Sequence, residues 1–378
     1  MAWITGVGDT AFGRLEDSTP LALMAQAANA ALADADRARA DIDGLLCGYA
    51  TTLPHLMLST VFAEYYGLRP GYAHALQLGG ATGCAMVMLA RELVDAGRCR
   101  EVLVVAGENR LSGQQRDAAI QTLAQVGHPD YEVPFGPTIP AYYALLASRY
   151  MHEYPVSEAD LAEFAVLMRR HAGTHPGAHL KEPVSVADVL ASKTIAAPLK
   201  LLDCCPISDG AVALLVSREP HGRTGVRIAG AGQAHLHQHV SSIASVSDLG
   251  ARRAAQSALS EAGVGLADID YLGIYDSFTI TLLILLEEIG IAARGAAAAR
   301  VRNGDFGVAG SMPLNTHGGL LSFGHCGVAG GMAHITEAQR QLAGKAGTRQ
   351  AGERRCALVH GDGGVLSSHV SLVLSRDG

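Results

Sequence analysis

The chain has 378 residues, a formal charge of −7, 49% hydrophobic residues and 17% charged residues. That balance excludes a disordered chain and suits two domains of ordinary size or one large one. Lysine and arginine form no block, which argues against nucleic-acid or anionic-membrane binding, while 44 glycines and only 5% aromatics point to tight turns and packing by small residues.

The first residues, MAWITGVGDTAFGRLEDS, lack the basic start and apolar run of a signal peptide, so a cytoplasmic chain is expected. GVGDTAFG has the glycines of a phosphate loop but no preceding strand of enough length. Residues 27–45, AANAALADADRARADIDGL, read as an amphipathic helix, a turn and a strand. A glycine-rich turn and a small-faced helix follow at 80–97, then a buried strand, VLVVAGE, at 102–108. From about 110 to 200 an insertion carries helix starts at Ser157-Glu-Ala-Asp and Ser185-Val-Ala-Asp, and such insertions usually cover a site. GAVALLVS (210–217) is a buried strand, and a seam falls near SREPHGRTG (217–225).

Beyond that seam the pattern repeats. AAQSALSEAGVGLADIDYL (254–272) matches 27–45 at ten of 19 positions without a gap. GVAGGMAHITEAQRQLAG (327–344) echoes 80–97, and ALVHGDG (357–363) echoes the strand after it. The chain therefore reads as two copies of one α/β unit, 1–220 and 221–378. Its longest apolar run, Ile280 to Leu286, is too short to span a bilayer. Seven cysteines without a CxxC pair suit a reduced protein and give no metal site.

Duplicated halves with this glycine punctuation resemble the thiolase superfamily, and more closely its lipid-transfer (SCP2-like) branch. GGATG (79–83) stands at the nucleophile turn. PLKLLDCCPISDGAVALLVS (198–217) resembles the branch's CCP-x-SDGA segment, and YDSF (275–278) stands at the Asn-Glu-Ala-Phe position. LNTHGGLLSFGHCGVAGG (314–331) resembles the segment ending in Gly-His-Pro, and HGDGG (360–364) takes the place of Cys-x-Gly. The resemblance implies a five-layer αβαβα fold, a homodimer, and coenzyme A thioesters as substrates, with CoA as part of the substrate and no covalently bound cofactor.

The same resemblance assigns candidate residues. A thiolase needs a thiolate at a helix N-terminus, a histidine base, a second acid/base and oxyanion donors. Here Gly80 occupies the nucleophile's position, and glycine cannot carry an acyl group. Cys84, one helical turn on, is either a shifted nucleophile or a buried thiol. His325 in FGHCG keeps the family's base. Tyr275 replaces the asparagine that holds a water, and His360 replaces the α-carbon acid/base. Cys326 replaces the usual proline. Asp276 and Asp209 read as structural, bonding loop amides, and Asp362 could orient His360. CoA contacts are expected from Arg169 and Arg170, with His171 and Lys181 beside them, and from Ser322 and Gly324.

Losing the cysteine changes the accessible chemistry. Thiolysis requires an acyl-enzyme, whereas retro-aldol cleavage of a β-hydroxyacyl-CoA needs only a base for the β-hydroxyl and a site for the enolate. This pattern is similar to that of thiolase-like retro-aldolases and partner-dependent thiolases, which work with a separate zinc-ribbon/OB-fold subunit of the DUF35 type. Aldol-type cleavage through Tyr275 and His325 is the favoured expectation. Thiolysis through Cys84, and a non-catalytic acyl-CoA or lipid carrier, are the alternatives.

Overall fold

The computed structural model of the protein describes residues 1–113, 125–220 and 225–376. Part of the expected insertion (114–124) and of the expected seam (221–224) therefore lies outside the described residues.

Short, mostly apolar runs build the strands β1 (Trp3–Asp9), β2 (Gly44–Gly48), β3 (Tyr72–Leu76), β4 (Glu101–Asn109), β7 (Asp209–Ser217), β8 (Val226–His235), β9 (Tyr271–Ile274), β10 (Cys356–Gly363) and β11 (Ser368–Ser375), with a small ribbon of β5 (Thr194–Ala196) and β6 (Leu199–Lys200) apart from them. The nine large strands run β3-β2-β4-β7-β1-β8-β11-β10-β9. The first five and last four strands join through a short antiparallel pairing of Trp3 with Arg227 and Ile4 with Val226.

The helices are α1 (Pro20–Asp34), α2 (Leu58–Tyr66), α3 (Thr82–Asp95), α4 (Ile139–Glu153), α5 (Glu158–Ala172), α6 (Val186–Ala191), α7 (Ala251–Ala262), α8 (Thr279–Ile289), α9 (Ala297–Arg302) and α10 (Val328–Ala343). Helices α3 and α10 pack on each other and touch strands of both halves, so they form a central layer. Their glycine-rich faces permit this: a β-carbon on Gly83 would lie 2.6 Å from Met332 Cγ. Helix α1 covers the outer side of β1, β7 and β4, and α7 covers β8 and β11 with α8 against it. The result is the αβαβα layering expected from the sequence. Among the described residues no helix is long and apolar enough to cross a membrane.

The internal repeat has a physical meaning. In both copies the first aspartate of Ala-Asp-Ile-Asp caps a single 3-10 turn: Asp41 accepts from Ala38 N at 2.9 Å and Asp268 from Gly265 N at 2.8 Å. The second aspartate ties the incoming strand to the start of its parallel neighbour. Asp43 accepts from the amides of Arg100 and Glu101, and Asp270 from those of Arg355 and Cys356. Ser157 and Ser185 cap α5 and α6 as their spacing predicts.

The N-terminal glycine motif is no phosphate loop, in keeping with its lack of a preceding strand, and its first residues form a strand themselves. Gly6 and Gly8 lie inside β1, where β-carbons would stand 2.3 Å from the carbonyls of Ala31 and Ala27 in α1. These glycines bring a helix onto a strand and cradle no phosphate.

Candidate active site

Several elements end at one cavity of about 280 Å³. Strand β9 stops at Ile274, and Tyr275 N donates to His360 O at 3.0 Å, which carries the parallel pairing one residue further and turns the phenol into the cavity. The next residue anchors a neighbouring turn behind the cavity: Asp276 Oδ1 accepts from Leu320 N at 2.7 Å and so holds the single π-helical turn Gly319–Phe323. The segment before β7 grips His325 on both sides. His325 N donates to Pro206 O at 3.1 Å, and Ser208 N donates to His325 O at 3.0 Å.

This placement joins two side chains. Tyr275 Oη lies 3.1 Å from His325 Nε2. On the other side of the ring, Gly327 N donates to His325 Nδ1 at 3.2 Å. An acceptor at Nδ1 puts the imidazole proton on Nε2, so Nε2–H donates to Oη and the phenol keeps its own hydrogen for a ligand. Gly80 makes room for the pair: a β-carbon there would stand 2.3 Å from both Cζ and Oη of Tyr275 and 2.4 Å from Asp362 O.

Helix α4 closes the cavity from above with Ile139, Pro140 and Tyr143. Tyr143 stacks on Phe278 at 4.3 Å, and its hydroxyl donates to Gly364 O at 3.1 Å and Asp362 Oδ2 at 3.3 Å. At the far wall, Glu108 Oε2 accepts from Thr51 N and Thr51 Oγ1 at 2.9 and 2.6 Å, with Arg110 beside it on the cavity surface.

Burial sets the protonation states. It pushes the Tyr275 phenol well above its ordinary 10, aided by Tyr143, Cys205 and Asp362. Burial, followed by the Arg110 charge, pushes the His325 imidazole down to about 3. At neutral pH the site therefore presents a neutral phenol, a neutral imidazole and a guanidinium cation. Two thiols line the cavity, Cys204 and Cys205, and burial raises both, that of Cys204 to about 12.

Comparison with known proteins gives the architecture a family. Residues 2–220 match the model of the thiolase N-terminal domain, and residues 232–376 that of the thiolase C-terminal-domain-like family. The chain belongs to the thiolase superfamily. It is 33% identical to a steroid side-chain-cleaving aldolase of Thermomonospora curvata, over all of this chain and 98% of that protein. It is 31% identical to a 17-hydroxy-3-oxo-4-pregnene-20-carboxyl-CoA lyase of Mycobacterium tuberculosis, over 96% of each chain. A solved structure described as the Ltp2–ChsH2(DUF35) aldolase superposes with a TM-score of 0.86 at 32% identity, covering 99% of this chain and 97% of that one.

Within this thiolase-superfamily chain the candidate residues separate into two groups. Tyr275 and His325 meet in the cavity beside Gly80. Cys84 does not line it. The thiol is 2% exposed, packed toward Gly361 of β10, and raised to about 12 by burial. His360 is also turned away, bonded to Ser371 Oγ at 2.7 Å and His369 Nδ1 at 3.1 Å. Asp362 therefore orients Tyr143 rather than His360. The expected CoA contacts stand apart from the cavity as well. Arg169 Nε donates to Ser322 Oγ at 3.2 Å and its NH1 to Glu182 O at 3.1 Å, which ties α5 to the π turn. Gly324 admits Ser208, whose Oγ a β-carbon would approach to 2.5 Å, and Arg170 is exposed on α5. Cys326 is buried in the core, as filler. Asp276 and Asp209 bond loop amides, as read from the sequence.

Three site residues escaped the sequence reading: Tyr143, Glu108 and Arg110. Glu108 ends the run VLVVAGE and Arg110 follows β4 directly, and charged residues at the end of a buried strand are a usable signal for a site. Tyr143 sits in an ordinary helical stretch and carried no such signal.

Proposed function

We propose that this protein cleaves, or in reverse forms, the Cα–Cβ bond of a β-hydroxyacyl-CoA by aldol chemistry. The observation that carries the reading is the Tyr275–His325 hydrogen bond built in the space over Gly80. Where an acyl-accepting side chain would stand there is a phenol, and Cys84 lies in the core.

In the cleavage direction the β-hydroxyl gives its proton to Tyr275 Oη and the carbonyl product forms as the Cα–Cβ electrons move into the thioester enolate. The Nε2–H of His325 donates to Oη and favours the phenolate that this step requires, against the cost of burial. In the forming direction the neutral phenol protonates the β-oxygen. A proton returned to the α-carbon completes cleavage, so no co-reactant is consumed. The aldolase and lyase relatives support this choice over thiolysis. Their names point to a bulky, steroid-like acyl group, which suits a cavity with an apolar wall of Val126, Ile139, Phe278 and Ile207.

Working as a homodimer in the cytoplasm, with a separate DUF35-type subunit, is part of the same proposal. The structural neighbour described as an aldolase with a DUF35 protein supports the subunit. The test is incubation of the protein, with and without such a subunit, with a β-hydroxyacyl-CoA and no free CoA. Release of a ketone or aldehyde plus a shortened acyl-CoA is expected. CoA-dependent cleavage of a β-ketoacyl-CoA, with the β-hydroxyacyl-CoA left intact, would instead mean thiolysis.

A further inference from the structure

We propose that Arg110 is the anion-binding residue of this site: its guanidinium receives the oxyanion of a thioester enolate or of a carboxylate shaped like one. The inference rests on the aldol reading for its place in the reaction, but its geometry stands independently.

Arg110 lines the same cavity as Tyr275, His325 and Gly80, although it is only 8% exposed. Its Nε is buried without a hydrogen-bond partner. Among the described residues the guanidinium makes no hydrogen bond or ion pair. A buried cation in that condition is costly to keep, and the cost is offset when an anion enters.

Glu108, the neighbouring acid, feels the Arg110 charge but makes no hydrogen bond or ion pair with it. Glu108 Oε2 is occupied by Thr51 N, Thr51 Oγ1 and Thr52 N, at 2.9, 2.6 and 3.3 Å. Its other oxygen sits in a notch left by Gly327, whose β-carbon would stand 2.1 Å from Oε1. Glu108 is thus tied through Oε2 to the segment after β2, its Oε1 is buried without a hydrogen-bond partner, and Arg110 remains directed to the cavity. Arg110 is also the one Lys or Arg among the described residues lining it.

The chemistry needs such a group. When the Cα–Cβ bond breaks, its electron pair passes to the thioester oxygen, while the β-hydroxyl proton goes to Tyr275 Oη. Tyr275 and His325 are engaged at the β-oxygen, and neither is cationic. A separate donor is needed where the enolate charge develops, and a guanidinium donates to such an oxygen with charge-assisted hydrogen bonds.

Binding can be measured without turnover. Wild-type protein is titrated calorimetrically with two CoA analogues, one with a carboxylate in place of the thioester enolate and one with a neutral ketone. The carboxylate is expected to bind about tenfold or more tightly, and Arg110→Gln is expected to abolish that preference. Equal affinities in the wild type would overturn the proposal whether or not the variant folds. In parallel, cleavage lost in Arg110→Ala should be partly restored by added guanidinium ion, which a purely structural role would not allow. If the wild type prefers the carboxylate yet cleaves no β-hydroxyacyl-CoA, the aldol reading fails and the anion site stands. If it cleaves without any preference, only the role of Arg110 fails.

Discussion

Gly80 and Tyr275 are sterically exclusive partners: any β-carbon on residue 80 would stand 2.3 Å from the phenol's Cζ and Oη. A nucleophile at 80 and this tyrosine cannot share the site in its present geometry. Gly80→Ala should therefore lower stability by about 1–3 kcal/mol through overpacking. The double variant Gly80→Ala/Tyr275→Ala should recover part of that loss, with a coupling of about 0.5–3 kcal/mol in a thermal-melt cycle. Strict additivity would refute the exclusion.

Tyr275→Phe removes one oxygen and keeps the ring. It should reduce kcat for cleavage by about 10²–10⁴-fold, with the melting temperature and acyl-CoA affinity nearly unchanged. Steady-state kinetics alongside calorimetric binding of an acyl-CoA separates these effects. A large fall in affinity with kcat preserved would assign the hydroxyl to binding alone.

The pH profile distinguishes the phenol from the imidazole as base. Tyr275 is raised well above 10, so its anionic fraction grows throughout the neutral range, whereas His325, lowered to about 3, is already neutral there. Cleavage kcat/KM should climb with pH from 6 to 9, approaching about tenfold per unit. A plateau above pH 7, with a limb near the ordinary histidine value, would mean that an imidazole is the base.

Cys84 should resist alkylation in the native protein, because the thiol is buried and held at about 12. Iodoacetamide labelling followed by peptide mass spectrometry should find residue 84 unmodified at pH 7.5, and Cys84→Ala should retain cleavage. A trapped acyl adduct on Cys84 would reverse this assignment.

Stability should fall on mild acidification. Burial lowers His171, His175 and His369 to about 4 and His325 to about 3, so the folded chain binds fewer protons than the unfolded one below the ordinary histidine value. The contribution is complete above about pH 6.5 and is lost as pH drops toward 4. Raised carboxyls such as Asp276 and Asp362 act in the opposite sense, but they are outnumbered. Melts at pH 7.5 and 5.0 should differ clearly, with the lower value in acid.

Much of the fold was legible because its signals are local. Ala-Asp-Ile-Asp marks one capped turn and one strand tie in each half, and the glycine-rich faces of 80–97 and 327–344 mark two helices that meet. In the site, Gly80 was informative as an absence, and His325 and Tyr275 were found through the motifs around them. His360 and Arg169 misled because sequence gives the face of a strand or helix only relative to its own neighbours. His360 shares its pleat with Ser371 and His369 of the adjacent strand, and Arg169 turns inward to Ser322. Arg110 and Tyr143 were missed because their importance comes from what lies across the cavity.

The aspartate ties have one further consequence. Asp43 and Asp270 fasten the beginnings of the parallel strands, whereas Tyr49, Glu108, Tyr275 and Gly364 lie where β2, β4, β9 and β10 end. Cohesion and chemistry occupy opposite rims of the same sheet. A chain built this way can exchange its nucleophile for a glycine and a phenol at one rim while the bonds that assemble each half, at the other, go undisturbed.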